Sequence, residues 1–277
     1  MNTPGVDDAL FVVDGPHLLP TELSRGPWSP DALHGGPVAA LVGRAVEAIV
    51  PDQPMLVTRL TVELLRPVPL APLTVSATLA RPGRKVQVVE VRVETEGRDL
   101  VWGRALRVRT GAPSSPGAPL PDSLARGPVP GTDPAAPPGP DDGHASPEPV
   151  GGYRAYHNAG VEMRFVRGEF ATSGPATVWV RLAVPVVPGE GPSPLQRVAA
   201  AADFGNGVSS ELEFARYRFI NPDLSVYLHR PAVGEWVCLD ATTTLGTPGV
   251  GVAECSLWDL HGPIGRSLQS LVVDGRG

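Results

Sequence analysis

The sequence predicts an α+β fold in which one architecture occurs twice: in each half of the chain a single apolar helix lies against an antiparallel sheet. Three observations carry this. Apolar residues alternate with polar ones at Val89, Val91 and Val93 against Glu90, Arg92 and Glu94, and again at Leu60, Val62 and Leu64, which is the period of a strand with one buried face. A segment dense in proline and glycine, residues 111–150, divides the chain. The letters also recur in order: VAAL (38–41) with VAAA (198–201), LTVELLRP (60–67) with LSVYLHRP (224–231), and GRALR (103–107) with GRSLQ (265–269). Three ordered matches indicate a duplication.

The elements follow from local pattern. LFVVDG reads as a short strand, and HGGPVAALVGRAVEAIV (34–50) as an apolar helix entered through His34-Gly35-Gly36. Two glycines at a helix start weaken it. They suit either a backbone that something must approach closely or a tight strand-to-helix turn. LVTRLTVELLRP, VQVVEVRVETE and DLVWGRALRVRT read as strands, the last two joined by a Glu-Gly-Arg turn. In the second half, GVEMRFVRGEF and ATVWVRLAV are strands, SPLQRVAAAADFGNG a helix, and NPDLSVYLHRP, EWVCLDATTT, GVAECSLWD and IGRSLQSLVV strands. No ladder or helix survives the proline density of 111–150, so an extended or disordered linker is expected between domains 1–110 and 151–277.

The 277 residues suffice for a sizeable core, and a net charge of −6 argues against nucleic acid or an anionic membrane as the main partner. The N-terminus carries Asp7 and Asp8 and no basic run, and the apolar stretch around 37–50 is broken by Arg44 and Glu47. A cytoplasmic protein without membrane insertion is expected, its Cys238 and Cys255 reduced in the core. Lys85 is the only lysine among many arginines, a usage typical of GC-rich bacterial genes. There is no G-x-S-x-G, no Walker A motif and no cysteine pair at zinc spacing. Neither metal nor cofactor is expected. The five tryptophans, 28, 102, 179, 236 and 258, read as core or interface anchors.

One residue stands out chemically. Asp203 follows four alanines and precedes Phe204-Gly205 at a helix end. An apolar surround strengthens a carboxylate as a base, and the negative end of the helix dipole gives such a placement no stability. The plain alternative is a surface Asp opening a turn. The VAAL/VAAA match sets Asp203 opposite Gly43, and Pro194-Leu195-Gln196 opposite His34-Gly35-Gly36. One helix keeps the glycines and lacks the acid; the other keeps the acid and lacks the glycines.

In this order HGGPVAALVGRAVE, ELLRPV, ADFGNG, INPDLSVYLHRP, GEW and RSLQSLVV resemble the acyl-CoA thioesterases of the TesB-like double-hotdog kind. The resemblance spans nearly the whole chain outside the linker. It implies a double hotdog, two sheets each wrapped around a helix as a pseudo-dimer, and hydrolysis of an acyl-CoA or acyl-carrier thioester by water activated on Asp203. In hotdog dimers the helix start of one protomer meets the acid of the other, so the two incomplete halves would compose one site. The amides of Gly35 and Gly36 would then polarise the thioester carbonyl, with His34 positioning the turn. The resemblance places a water-orienting role on Gln269, whose alternative is a solvated strand residue because its repeat partner, Arg107, reads as an ordinary outward one. It places a hydroxyl residue where this chain has Asn221, which leaves Asn221 and the nearby Asp223 as competing partners. A homo-oligomer is compatible with it. Three other readings compete: a non-catalytic acyl- or acyl-CoA-binding protein, a linker-bearing scaffold whose folded halves only bind partners, and a hotdog hydratase or dehydratase. The last needs a His/Asp dyad, for which no histidine lies at an equivalent place in the sequence. A twin of the Asp203 site is expected to lack a base.

Overall fold

The structure is a computed structural model that describes residues 8–111, 129–146, 152–170 and 172–276. In the first half a hairpin, β1 (Phe11–Asp14) and β2 (His17–Pro20), leads to helix α1 (Gly35–Ala48). Strands β3 (Met55–Leu64), β4 (Thr74–Arg81), β5 (Val86–Thr95) and β6 (Arg98–Arg109) follow. The second half has β7 (Val161–Arg167), β8 (Ala176–Leu182), α2 (Pro194–Ala202) and a single turn, α3 (Gly205–Val208). Strands β9 (Tyr217–Ile220), β10 (Asp223–Leu228), β11 (Val237–Gly246), β12 (Val250–Asp259) and β13 (Gly262–Gly275) complete it.

Every expected strand and both helices form. Three strands, β2, β4 and β9, had no clear signal: β4 is mostly exposed, with Thr, Ser and Ala where large apolar residues would reveal it, and β2 and β9 have only four residues each. The long C-terminal helix pattern breaks at Asp203-Phe204, so α2 ends one residue before the acid.

Strands β3–β13 make one eleven-stranded antiparallel sheet in the order β4-β5-β6-β3-β10-β13-β12-β11-β8-β7, with β9 beside the far end of β13, while β1 and β2 form a separate two-stranded sheet. The halves join through β3 and β10. Leu224 pairs with Val62 and Val226 with Leu60, so each residue faces the repeat equivalent of its neighbour. Only a two-fold relation gives that register, and its axis passes through the Thr61–Ser225 pair, whose hydroxyl oxygens lie 3.2 Å apart. The duplication inferred from letters is therefore expressed as pseudo-symmetry in space.

Both helices lie on the same side of this curved sheet and pack against each other. Helix α1 buries Val38, Leu41, Val42 and Val46, each worth about 1.5–3 kcal/mol of transfer free energy. It approaches β6 so closely that a Cβ on Gly103 would collide with Val42. Helix α2 buries its alanine run, Ala199–Ala202; small side chains there let the two helices meet at short range.

The linker expectation needs correction over its second part, while 112–128 and 147–150 lie outside the described residues. Residues 129–146 have fixed irregular structure. His144 and Phe165 exchange both backbone hydrogen bonds (3.0 and 2.8 Å), which covers the outer edge of β7. Trp179 Nε1 donates to the Pro138 carbonyl at 2.8 Å, and Pro140 is buried. Proline excludes helix and ladder but not packing against an existing edge. Deleting 129–146 is therefore expected to lower the melting temperature clearly. Replacing 113–127 by a Gly/Ser spacer of similar reach should change it little, since closure entropy varies only logarithmically with length. Thermal melts of the two variants check this.

Candidate active site

A cavity of about 860 Å³ opens between the start of α1, the end of α2 and the segment 204–222. Its wall is mostly apolar, with Trp28, Leu33, Phe170, Phe214 and Phe219 among its side chains. Its polar groups include His34, Asp203, Asn206 and Asn221.

The start of α1 and the end of α2 bring His34 and Asp203 together from opposite halves. His34 is the N-cap of α1, and Asp203 is the C-cap of α2. Asp203 Oδ2 lies 2.8 Å from His34 Nδ1. Asp203 Oδ1 accepts from Asn221 Nδ2 at 2.9 Å and lies 3.3 Å from Gln269 Nε2. Asp203 is 4% exposed, so it is no surface Asp opening a turn. A carboxylate this deep is held only because donors surround it.

The two glycines have separate reasons. A Cβ on Gly35 would sit 2.6 Å from both carboxylate oxygens of Asp203; a Cβ on Gly36 would sit 2.6 Å from the Ala200 carbonyl oxygen. Gly35 lets the carboxylate rest on the helix start, and Gly36 lets the helices cross. Only Gly35 of the pair lines the cavity, and its N–H makes no hydrogen bond among the described residues. The Gly36 N–H points at His34 Nδ1 at 3.0 Å. The expectation of two equivalent carbonyl-binding amides is corrected accordingly: Gly35 alone faces the cavity.

Gln269 is 2% exposed, which rules out a solvated strand residue. Its Nε2 donates to the Asp203 carbonyl at 3.2 Å and its Oε1 accepts from the Asn206 N–H at 3.1 Å. It does not line the cavity, and its side-chain bonds run to Asp203 and to the Asn206 amide. Between Asn221 and Asp223, the geometry favours Asn221. The Asp223 carboxylate instead accepts from the Ser270 N–H at 2.7 Å, and its carbonyl accepts from Asn221 Nδ2 at 3.2 Å. Gln269→Ala and Asn221→Ala are each expected to lower kcat more than they raise KM, because both groups bond Asp203. Steady-state kinetics at saturating substrate check this.

The twin positions also depart from expectation. Arg107 is buried, not outward, and donates to the Val46 carbonyl at the end of α1. Burial lowers its pKa from the usual guanidinium value. The twin is not without an acid either. Glu47, one turn beyond Gly43, accepts from Ser193 Oγ at 2.7 Å and from Gln196 Nε2 at 3.1 Å at the start of α2. Burial raises its pKa, and those two bonds and Arg107 partly offset the rise. This acid caps a helix, and neither it nor Arg107 lines the cavity.

Sequence pattern missed several wall residues. Trp28, read as a core anchor, stacks on Phe214 with ring centroids 4.4 Å apart, and Phe219 meets both edge-on. Trp102, also read as an anchor, is 45% exposed on the far face of the sheet. His157 lies on a single π-helical turn (Tyr156–Gly160) at the cavity wall. Tyr156, fully buried beside His34, donates to the Ala200 carbonyl at 3.0 Å. Burial, then the charge of Asp203, pushes its pKa well above the ordinary phenol range. Among the described residues no group of three or more His, Cys, Asp or Glu could hold a metal ion, and no helix is long and apolar enough to cross a membrane.

The antiparallel sheet folds about two packed helices and sets a buried acid of one half against the helix start of the other. Residues 24–109 match the family model of the acyl-CoA thioesterase N-terminal domain, and residues 131–273 that of the C-terminal domain. The chain belongs to this family. The C-terminal match begins within the packed stretch 129–146, as the structure would require. No curated protein matches. Among solved structures, a protein of unknown function with a hot dog fold from Alicyclobacillus acidocaldarius is 18% identical, with 100% of this chain and 99% of that one covered and a TM-score of 0.68. The tesB protein of Mycobacterium avium subsp. paratuberculosis is 15% identical over 93% and 92% of the two chains, TM-score 0.61. Acyl-CoA thioesterase II TesB2 of Mycobacterium marinum is 14% identical over 88% and 91%, TM-score 0.61. At these identities the likeness establishes the fold, a double hotdog.

Proposed function

We propose that the protein hydrolyses an acyl thioester, in the first place an acyl-CoA, to a free acid and a thiol. The observation that carries this reading is the placement of a buried, fully hydrogen-bonded carboxylate against a bare helix start on the wall of one largely apolar cavity. Its carboxylate supplies the negative charge that activates a water. The Gly35 N–H, at the positive end of α1, faces the space where a carbonyl oxygen would gain charge; a donor so placed is worth about 3 kcal/mol of barrier. The aromatic and aliphatic wall takes the acyl chain. Each half, 1–110 and 151–277, is one hotdog, joined by 111–150; neither alone holds both the acid and the glycine-bearing helix start. The setting is taken to be the bacterial cytoplasm and lipid metabolism.

Thiol release measured across saturated acyl-CoAs of increasing chain length tests the reading. Turnover that peaks at one chain length supports it. Tight binding of acyl-CoA without release would favour a carrier that only binds. A second reaction is worth a parallel panel of enoyl-CoAs, because the structure removes the ground for setting it aside: His34 and Asp203 do form a dyad, at 2.8 Å. Hydration of an enoyl-CoA without thiol release would assign the site to a hydratase.

A further inference from the structure

Hydrogen bonding decides which member of the His34–Asp203 pair faces a substrate. Asp203 has both oxygens engaged: Oδ1 by Asn221 (2.9 Å) with Gln269 at 3.3 Å, and Oδ2 by His34 Nδ1 at 2.8 Å. Asn221 Nδ2 and Gln269 Nε2 both approach Oδ1 as donors, so the group they hold is an acceptor. Facing a carboxylate, Nδ1 must carry the proton. It then has no lone pair for the Gly36 N–H, 3.0 Å away. That N–H becomes one of the free donors that any helix start carries. The ring's lone pair is left on Nε2, which has no hydrogen-bond partner among the described residues, on a side chain that lines the cavity.

We propose that His34 Nε2 is the atom that takes the proton from the attacking water, and that Asp203 acts through Nδ1. The inference rests on the hydrolytic reading above. The water oxygen bonds to the carbonyl carbon while its proton passes to Nε2. The resulting imidazolium is stabilised by Asp203, which also fixes the tautomer. When the tetrahedral intermediate collapses, the C–S bond breaks, its electron pair leaves on sulfur, and the imidazolium returns the proton to the thiolate. The sum is one water consumed, one carboxylic acid and one thiol formed, with His34 restored. The ring is fixed on its remaining sides by Tyr156 and Phe204, at centroid distances of 5.0 and 4.7 Å. Tyr156 stays neutral, since its pKa lies well above the usual phenol range. The other titratable groups on the cavity wall are His157, Glu213, Arg66 and Arg218.

The test is His34→Asn. An Asn side chain caps a helix, accepting from the Gly36 N–H and donating to Asp203, but offers nothing in place of Nε2. The expected result is a loss of about 10²–10⁴-fold in kcat, with KM within a few-fold and an unchanged melting temperature. Nitrogen NMR should show His34 Nδ1 as the protonated, pyrrole-like atom and Nε2 as the pyridine-like one. Retention of a third or more of kcat by His34→Asn, or the reverse tautomer, overturns the proposal. A wild-type protein that releases thiol from no acyl-CoA sinks the hydrolytic reading itself; hydrolysis that survives His34→Asn sinks only the role given to His34.

Discussion

Asp203→Asn should fold as the wild type does and lose about 10²–10⁴-fold in kcat. The substitution keeps volume and shape, so packing in the alanine-lined end of α2 survives. It removes the one negative charge among His34, Asn221 and Gln269. An amide must also turn either its NH₂ toward the Asn221 and Gln269 donors or its oxygen toward them and its NH₂ toward His34 Nδ1. The first choice sets donor against donor. The second forces the proton of His34 onto Nε2 and takes away the lone pair that faces the cavity. Either way the site loses its base. Burying an unpaired charge is costly, and this variant buries one charge fewer, so its melting temperature should stay within a few degrees of the wild type. Thiol release and a thermal melt on the same preparation check both halves. A variant with more than a third of the wild-type rate would show that the charge of Asp203 is not what drives turnover.

Much of the fold was legible because duplication and alternation are local or repeated signals. β3, β5 and β6 alternate with a period of two, and α1 is a continuous apolar run. The relation between the halves was legible from LTVELLRP and LSVYLHRP, whose strands turned out to pair with each other across the pseudo-two-fold. Asp203 was visible because a carboxylate after four alanines conflicts with its surroundings. What stayed hidden depends on chain segments meeting in space. That the start of α1 meets Asp203 followed only from the family resemblance, and nothing local shows that His34 itself pairs with the acid. Trp28, Phe214 and Phe219 share no period, and their stacking exists only because β9 and the loop after β2 close one cavity. Glu47 sat in plain view on α1, but a charged residue on a helix reads as solvated until the start of α2 is found against it. Arg107 misled for the same reason: its strand position suggested solvent, and the end of α1 covers it.

Pseudo-symmetry supplies the sharpest contrast. Gly35 and Gly43 lie on one helix, and each faces the other helix across the same approximate axis: Gly35 looks at Asp203, while Gly43, the repeat equivalent of Asp203, looks at Leu195, the equivalent of Gly35. Alanine at the two positions should have opposite effects. At Gly43 the new Cβ would lie 3.5 and 3.7 Å from Leu195 side-chain carbons and 3.9 Å from Gln196 Cα, ordinary van der Waals contact. Replacing a mid-helix glycine there gains helix propensity of about 0.8–1 kcal/mol. Gly43→Ala is expected to raise the melting temperature by about 2–4 °C and leave turnover within a few-fold. At Gly35 the Cβ would lie 2.6 Å from both oxygens of Asp203 and 2.8 Å from its Cγ. The carboxylate cannot simply swing away, because Asn221, Gln269 and His34 hold it from the other sides. Either the carboxylate is displaced from His34 or the start of α1 retreats, and both spoil the alignment of base, water and amide. A misplacement of about 1 Å costs on the order of 10²-fold in rate, so Gly35→Ala should lose at least that in kcat while the chain still folds. Melting temperature and kcat measured on the pair decide the matter. Equal turnover in the two variants would mean that the contact between Gly35 and Asp203 is helix packing alone, and that the reaction is carried elsewhere on the cavity wall.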